Sequence, residues 1–213
     1  AVERALLPYE TRLPSTDLQQ FPVTPDVVGS PAATLKTMLD PQNRTANQQE
    51  FKRLTEEEKE AVKSYIQENK RILSDRYNLT LTPSRLEVLA NFHVNHILDI
   101  GQVFQQIKSR YDDIKKIELE FYKRNDINIV FEEDAIDFIM EQVVDKSVAL
   151  DSVETQLNEN FGLGLKLVME KTGKNRFFID RNALANPESF IGGLIRNGLK
   201  APPLSTNERS ESE

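Results

Sequence analysis

The chain has 213 residues, 38% of them hydrophobic, enough to core one large domain or two small ones. It contains no cysteine, which excludes disulfides and thiolate metal sites. A net charge of −7 and a pI of about 5.1, with Lys and Arg interleaved among acids, exclude a basic stripe for nucleic acid.

Residues 1–50 are Pro-rich and weakly periodic. Val2, Ala5, Leu6 and Tyr9 fit one or two helical turns. Leu18, Phe21 and Val23 fit a short extended piece that Pro22 keeps at a sheet edge or outside a sheet. A short helix is predicted within 27–39, and DPQNRTANQQE (40–50) reads as a linker.

Residues 51–125 read as a helical region. A helix is predicted over 55–76, with Thr55 and Glu58 as a capping box and Val62, Tyr65, Ile66, Ile72 and Leu73 at helical spacing. The acidic run 56–60 is its solvated first turn. Leu79 and Leu81 alternate with polar residues in NLTLT. Thr82 then caps a helix that has Pro83 at its first position and Leu86, Leu89, His93 and Ile97 on one face. A longer helix over 102–122 carries Val103, Ile107, Ile114, Ile117 and Phe121 as an apolar stripe.

Ile127, Ile129 and Phe131 alternate as in a strand. A helix follows, with Glu132, Glu133 and Asp134 in its first turn and Ala135, Ile136, Ile139 and Val143 on one face. Leu150, Val153 and Leu157 mark another helix, which Gly162 and Gly164 are expected to break. LKLVM (165–169) and RFFID (176–180) then read as two strands of a hairpin turning at Gly173. Asn186 and Pro187 open a last helix, which Gly198 is expected to stop, and 200–213 is polar enough to be a disordered tail. NLTLTPSRLEVL (78–89) parallels NIVFEEDAIDFI (128–139), through either duplication or chance. The fold class is therefore α+β and predominantly helical, a helix bundle with a small C-terminal β-sheet.

Catalytic signatures are sparse. The chain has no GxxxxGK[ST] loop, no GxGxxG and no GxSxG elbow. Its two histidines, His93 and His96, lie three apart on one predicted helix, with Asp99 as a third potential ligand. Packing or surface histidines are the ordinary reading of that spacing. Adjacent acids such as Glu132, Glu133 and Asp134 carry little information in a chain with 34 acids. Phe177 and Phe178 read as one core residue and one residue on a sheet face rather than a base-stacking pair.

The segment 126–198 resembles the C-terminal small domain, or lid, of AAA+ ATPases of the Clp unfoldase type, which runs strand, helix, helix, strand behind a leading helix. DINIVF with EEDAIDFIMEQVVDK resembles the strand and acidic-start helix, FFID the later strand, and 102–123 the leading helix. LLPYETRLPSTDL (6–18) resembles the GRLP-type segment closing the large ATPase domain of Clp X-type unfoldases. The resemblance implies that Arg12 reaches the nucleotide of a neighbouring subunit, where a planar, permanently charged guanidinium suits phosphoryl oxygens. The family's GAR-type motif has no counterpart here: Asp151 takes the place of its Arg, and Ala149 that of its Gly. Walker motifs are missing.

The resemblance implies a C-terminal part of a Clp-like chaperone ATPase, with lid-like residues 126–199. ATP and Mg²⁺ belong only to the larger protein, and self-association would form a ring. Two alternatives stand beside it: a non-catalytic helical module that binds another protein, and a small metal enzyme built on His93 and His96. No apolar run approaches the ~20 residues that span a bilayer, and residues 1–9 lack the features of a signal peptide. The expected location is the cytoplasm, with no membrane or nucleic-acid partner. The start at AVERALLPYE without Met fits a processed chain or an excised fragment.

Overall fold

The computed structural model describes residues 24–200 apart from 97 and 145, together with Arg4 and Leu7. The expectations for 1–23, including Arg12 and the RLP segment, and for the tail 201–213 lie outside the described residues. The chain divides into two compact units, Ala1–Tyr65 and Ile66–Glu213. The helical region read over 51–125 is divided between the two units, and 126–199 lies in the second.

In the first unit, α1 (Pro25–Gly29) and α2 (Pro31–Met38) pack on each other and bury Val27 and Leu35. Thr24 caps α1, and each helix has Pro at its start, where a missing amide costs nothing. A 3₁₀ turn, Pro41–Asn43, leads directly into α3 (Arg44–Glu68). The linker expected over 40–50 is therefore largely helix. Its polar residues give no apolar periodicity, yet Arg, Gln and Glu are good helix formers. Thr55 lies in the middle of α3 and its hydroxyl donates to the Phe51 carbonyl at 2.9 Å, so it caps nothing. Of the residues read at helical spacing, Val62, Ile66 and Leu73 are buried, whereas Tyr65 and Ile72 are exposed.

The second unit continues with α4 (Lys70–Tyr77), which ends at Asn78 in the left-handed conformation (φ 47°). Residues 79–81 form no strand, although Leu79 and Leu81 are both buried. Thr82 caps α5 (Pro83–His96) by accepting from the Arg85 amide at 3.0 Å. The buried face of α5 is Arg85, Val88, Leu89 and Phe92, rotated from the expected Leu86–Leu89–His93 line. The long α6 (Ile100–Asn125) is capped by Asp99 and buries all five residues of the expected stripe, with Phe104 added.

β1 (Asn128–Phe131) and α7 (Glu133–Val144) follow as expected, with Ala135, Ile136 and Ile139 buried. The next helix, α8 (Leu150–Thr172), corrects the sequence reading. It runs unbroken through Gly162 and Gly164 and takes in residues 165–169, so no hairpin exists. Leu157, Phe161, Leu165 and Val168 are buried at spacings of four, four and three, the helical period. The two glycines serve close approach. A Cβ on Gly162 would lie 3.1 Å from Asn125 Oδ1, and one on Gly164 would lie 2.5 Å from Ile191 Cδ1.

After Gly173 (φ 70°) comes β2 (Arg176–Ile179), which pairs with β1 in parallel, Asn128 opposite Arg176 and Phe131 opposite Ile179. Parallel strands need a long crossover, which α7 and α8 supply. Two short helices close the described chain: α9 (Arg181–Ala185), capped by Asp180, and α10 (Pro187–Lys200), which packs along α8. Gly198 does not stop α10. The fold is thus predominantly helical with a small two-stranded parallel sheet.

Candidate functional site

The most concentrated chemistry in the second unit lies where α5, α6 and α7 meet. Arg85 and Asp137 are both fully buried, each on an otherwise apolar helix face. Burying an unpaired charge is very costly, so the surroundings must supply partners. Arg85 Nε donates to Asp137 Oδ1 at 2.8 Å, and Nη2 lies 2.6 Å from the same oxygen. Nη1 donates to the Thr80 carbonyl at 2.6 Å and to Glu133 Oε2 at 2.8 Å. The Thr82 hydroxyl donates to Asp137 Oδ2 while accepting from the Arg85 amide, so the residue that caps α5 also binds α7.

Tyr111 of α6 completes the cluster. Its ring lies 4.9 Å from the Arg85 guanidinium carbon, and its hydroxyl donates to Glu133 Oε1 at 3.1 Å. Burial, and then the Glu133 carboxylate, pushes the Tyr111 hydroxyl up to about 12. Burial also pushes the Asp137 carboxyl above the ordinary carboxylate range, against the pull of Thr82 and Arg85. Both Asp137 oxygens accept within the cluster. A carboxylate so engaged is a positioning group rather than a general base.

The sequence-predicted groups fall elsewhere. Arg12 lies outside the described residues. Asp151 sits exposed in the first turn of α8, with Ala149 as a cap that makes no side-chain bond. His96 stacks on Phe92 at 4.0 Å and its Nδ1 lies 3.0 Å from the Phe92 carbonyl. Asp99 caps α6 through Gln102, so the three do not converge. Among the described residues no three His, Cys, Asp or Glu side chains group as metal ligands. Between α7, α8 and α9 lies an open depression of about 170 Å³, floored by Ile139, Leu157 and Phe161 and rimmed by Gln142, Gln156 and Asn160. Arg181 of α9 stands nearby, paired with Glu141 at 2.9 Å and lying over the Phe138 ring at 5.1 Å. No described helix is long and apolar enough to cross a membrane.

Sequence reasoning missed Arg85 and Asp137. A signal existed: Arg85 shares the helical frame of Val88, Leu89 and Phe92, and Asp137 that of Ile136 and Met140. A charge of opposite sign on each of two apolar faces marks a buried pair. Comparison with protein-family models, curated proteins and solved structures finds no match to this chain.

Proposed function

We propose that this chain is the C-terminal part of a Clp-like AAA+ unfoldase, with residues 126–199 acting as its lid. The observation that supports this reading is the order α6, β1, α7, α8, β2 with the two strands paired in parallel. That is the helix-led strand, helix, helix, strand order of the lid that the sequence resembles. In such a protein the lid transmits nucleotide state as rigid-body motion between ring subunits. The buried cluster of Arg85, Asp137 and Glu133 fits this role, because it holds α5 and α7 in one register. The hydrolytic site, ATP and Mg²⁺ belong to the larger cytoplasmic protein, and Arg12 serves the neighbouring subunit's nucleotide. Asp151 places an acid where the family has a nucleotide-sensing Arg, so this lid follows the nucleotide through packing rather than direct charge contact.

The test is the reading frame upstream of Ala1, followed by native mass spectrometry of the complete protein with ATP and Mg²⁺. Upstream Walker motifs, ATP-dependent rings and loss of turnover without loss of assembly in Arg12→Ala are expected. An upstream frame without Walker motifs overturns the proposal. Leu163 and Leu167, exposed one turn apart on α8, favour the second reading, a module that binds another protein. The stripe on α6 does not serve that reading, because the core of the chain already uses it.

A further inference from the structure

The two edges of the small sheet are treated differently. Asn128 N–H donates to the Asn175 carbonyl at 3.0 Å, and Glu132 N–H to the Ile179 carbonyl at 2.9 Å. Residues 128, 130 and 132 therefore turn their main-chain groups toward β2, and 127, 129 and 131 turn theirs outward. That outward edge of β1 is blocked: α6 packs against it, and the Glu118 carboxylate accepts from Phe131 N–H at 2.7 Å. By the same alternation, Arg176, Phe178 and Asp180 turn their main-chain groups away from β1. Among the described residues no turn, loop or cap bond reaches the N–H or carbonyl of Phe178. An edge that the described residues leave open in this way is a template for another strand.

The side chains on that edge select the strand. Arg176, Phe178 and Asp180 project from the face opposite the buried Phe177 and Ile179. Phe178 is 54% exposed. Arg176 lies over its ring at 5.3 Å and has no carboxylate partner among the described residues. Asp180 uses Oδ1 to cap α9 at Ala183, 2.7 Å away, which leaves Oδ2 without a hydrogen bond among the described residues. The segment Arg-Phe-Phe-Ile-Asp is its own complement when it runs antiparallel. Centred on Phe178, such a pairing sets Phe178 against its copy, Arg176 against the partner's Asp180, and Asp180 against the partner's Arg176. A parallel, in-register pairing sets Arg against Arg and Asp against Asp, which disfavours it.

The geometry points to the outer edge of β2 as a two-fold docking edge for a second copy of this chain, joining two sheets into one of four strands, β1-β2-β2-β1. Each Phe178 exchanges both main-chain bonds with its copy, and each Asp180 N–H reaches the partner's Arg176 carbonyl. The contact is isologous and closes after two copies. It is independent of the lid reading, because it rests on β2 alone.

Light scattering on the 213-residue chain tests it. A concentration-dependent dimer, twice the 24.4 kDa mass, is expected. Phe178→Lys and Arg176→Asp should each raise the dimer Kd by about tenfold or more, since like charges then face each other. The double swap Arg176→Asp with Asp180→Arg should restore the dimer, provided circular dichroism shows the swapped chain folded. A second readout needs no such rescue. The chain has no cysteine, so Phe178→Cys and Leu163→Cys each carry one thiol. A short bis-maleimide should join copies of the first and not of the second. A chain that stays monomeric at every concentration overturns the proposal. So does a dimer that survives Phe178→Lys and Arg176→Asp and links better through position 163.

Discussion

Removing the Asp137 carboxylate should be among the most damaging single changes in the second unit. Asp137→Ala strips Arg85 of the acceptor facing both Nε and Nη2, at 2.8 and 2.6 Å, while Thr80 and Glu133 still hold Nη1. Two lost charge-assisted contacts at about 1.5–3 kcal/mol each give about 3–6 kcal/mol. Breaking a buried pair by deleting one partner costs about 3–5 kcal/mol, in agreement. The raised Asp137 carboxyl adds a second expectation. Burial outweighs the help from Arg85 and Thr82, so the ionised pair gains little over an apolar pair of similar size. Arg85→Met with Asp137→Leu should therefore lie within about 1–2 kcal/mol of the parent, or exceed it. Urea unfolding followed by circular dichroism measures the parent, Asp137→Ala and the double variant. An Asp137→Ala cost under about 1 kcal/mol, or a double variant as damaged as the single, would refute the account.

The pH dependence of the same cluster has a definite sign. The folded Asp137 holds its proton to higher pH than the unfolded one, so its contribution is full below the ordinary value of 3.8 and lost as pH rises through the raised folded value. The stability difference between parent and Asp137→Asn should decline across that window in urea titrations at stepped pH. Tyr111 behaves alike at the alkaline end: its contribution is full below 10 and lost as pH rises through about 12, and Tyr111→Phe should lack that loss. Absorbance titration should show one tyrosine ionising only at about 12. Gly164→Ala should destabilise by about 1–3 kcal/mol despite its better helix propensity, because the new Cβ meets three Ile191 atoms at 2.5–3.2 Å; Ile191→Ala should relieve that clash. Phe177→Ala should cost about 3–5 kcal/mol, whereas Phe178→Ala should leave the stability of the monomer nearly unchanged, as thermal unfolding will show.

What was legible in the sequence was whatever obeyed one local period. The stripe on α6 repeats at helical spacing over five residues, and all five are buried. Ile129 and Phe131, then Ala135 and Ile136, mark β1 and α7 because the period changes from two to 3.6 within a few residues. The failures came where tertiary contact overrode a local rule. Gly162 and Gly164 are poor helix residues, but α8 needs them small where it meets Asn125 and Ile191. LKLVM alternates like a strand, but Leu165 and Val168 extend the helical spacing begun at Leu157 and Phe161. Residues 44–50 have no apolar face, so periodicity could not show their helix. Arg85 and Asp137 were passed over because each alone looks like an ordinary solvated charge, although each shares the helical frame of apolar neighbours. Only the packing of α5 on α7, over 50 residues apart in sequence, makes them a pair.

That pairing also bears on what the part preceding the lid-like segment does. Residues 126–199 are the lid under the proposed function, so α5, which lies before them in the chain, would be an addition to it. An addition joined by a flexible linker would leave the lid's motion unchanged. Instead α5 contributes Arg85, Val88 and Leu89 to the core, and its cap residue Thr82 donates to Asp137 on α7. Sliding α5 along α7 by one turn would strand the guanidinium and the carboxylate in an apolar setting, each without its partner. Under the proposed function the addition would therefore move with α7 as one body. Under the proposed function, any displacement of the lid carries α5 with it, and whatever α5 and α4 touch in the complete protein receives the same displacement.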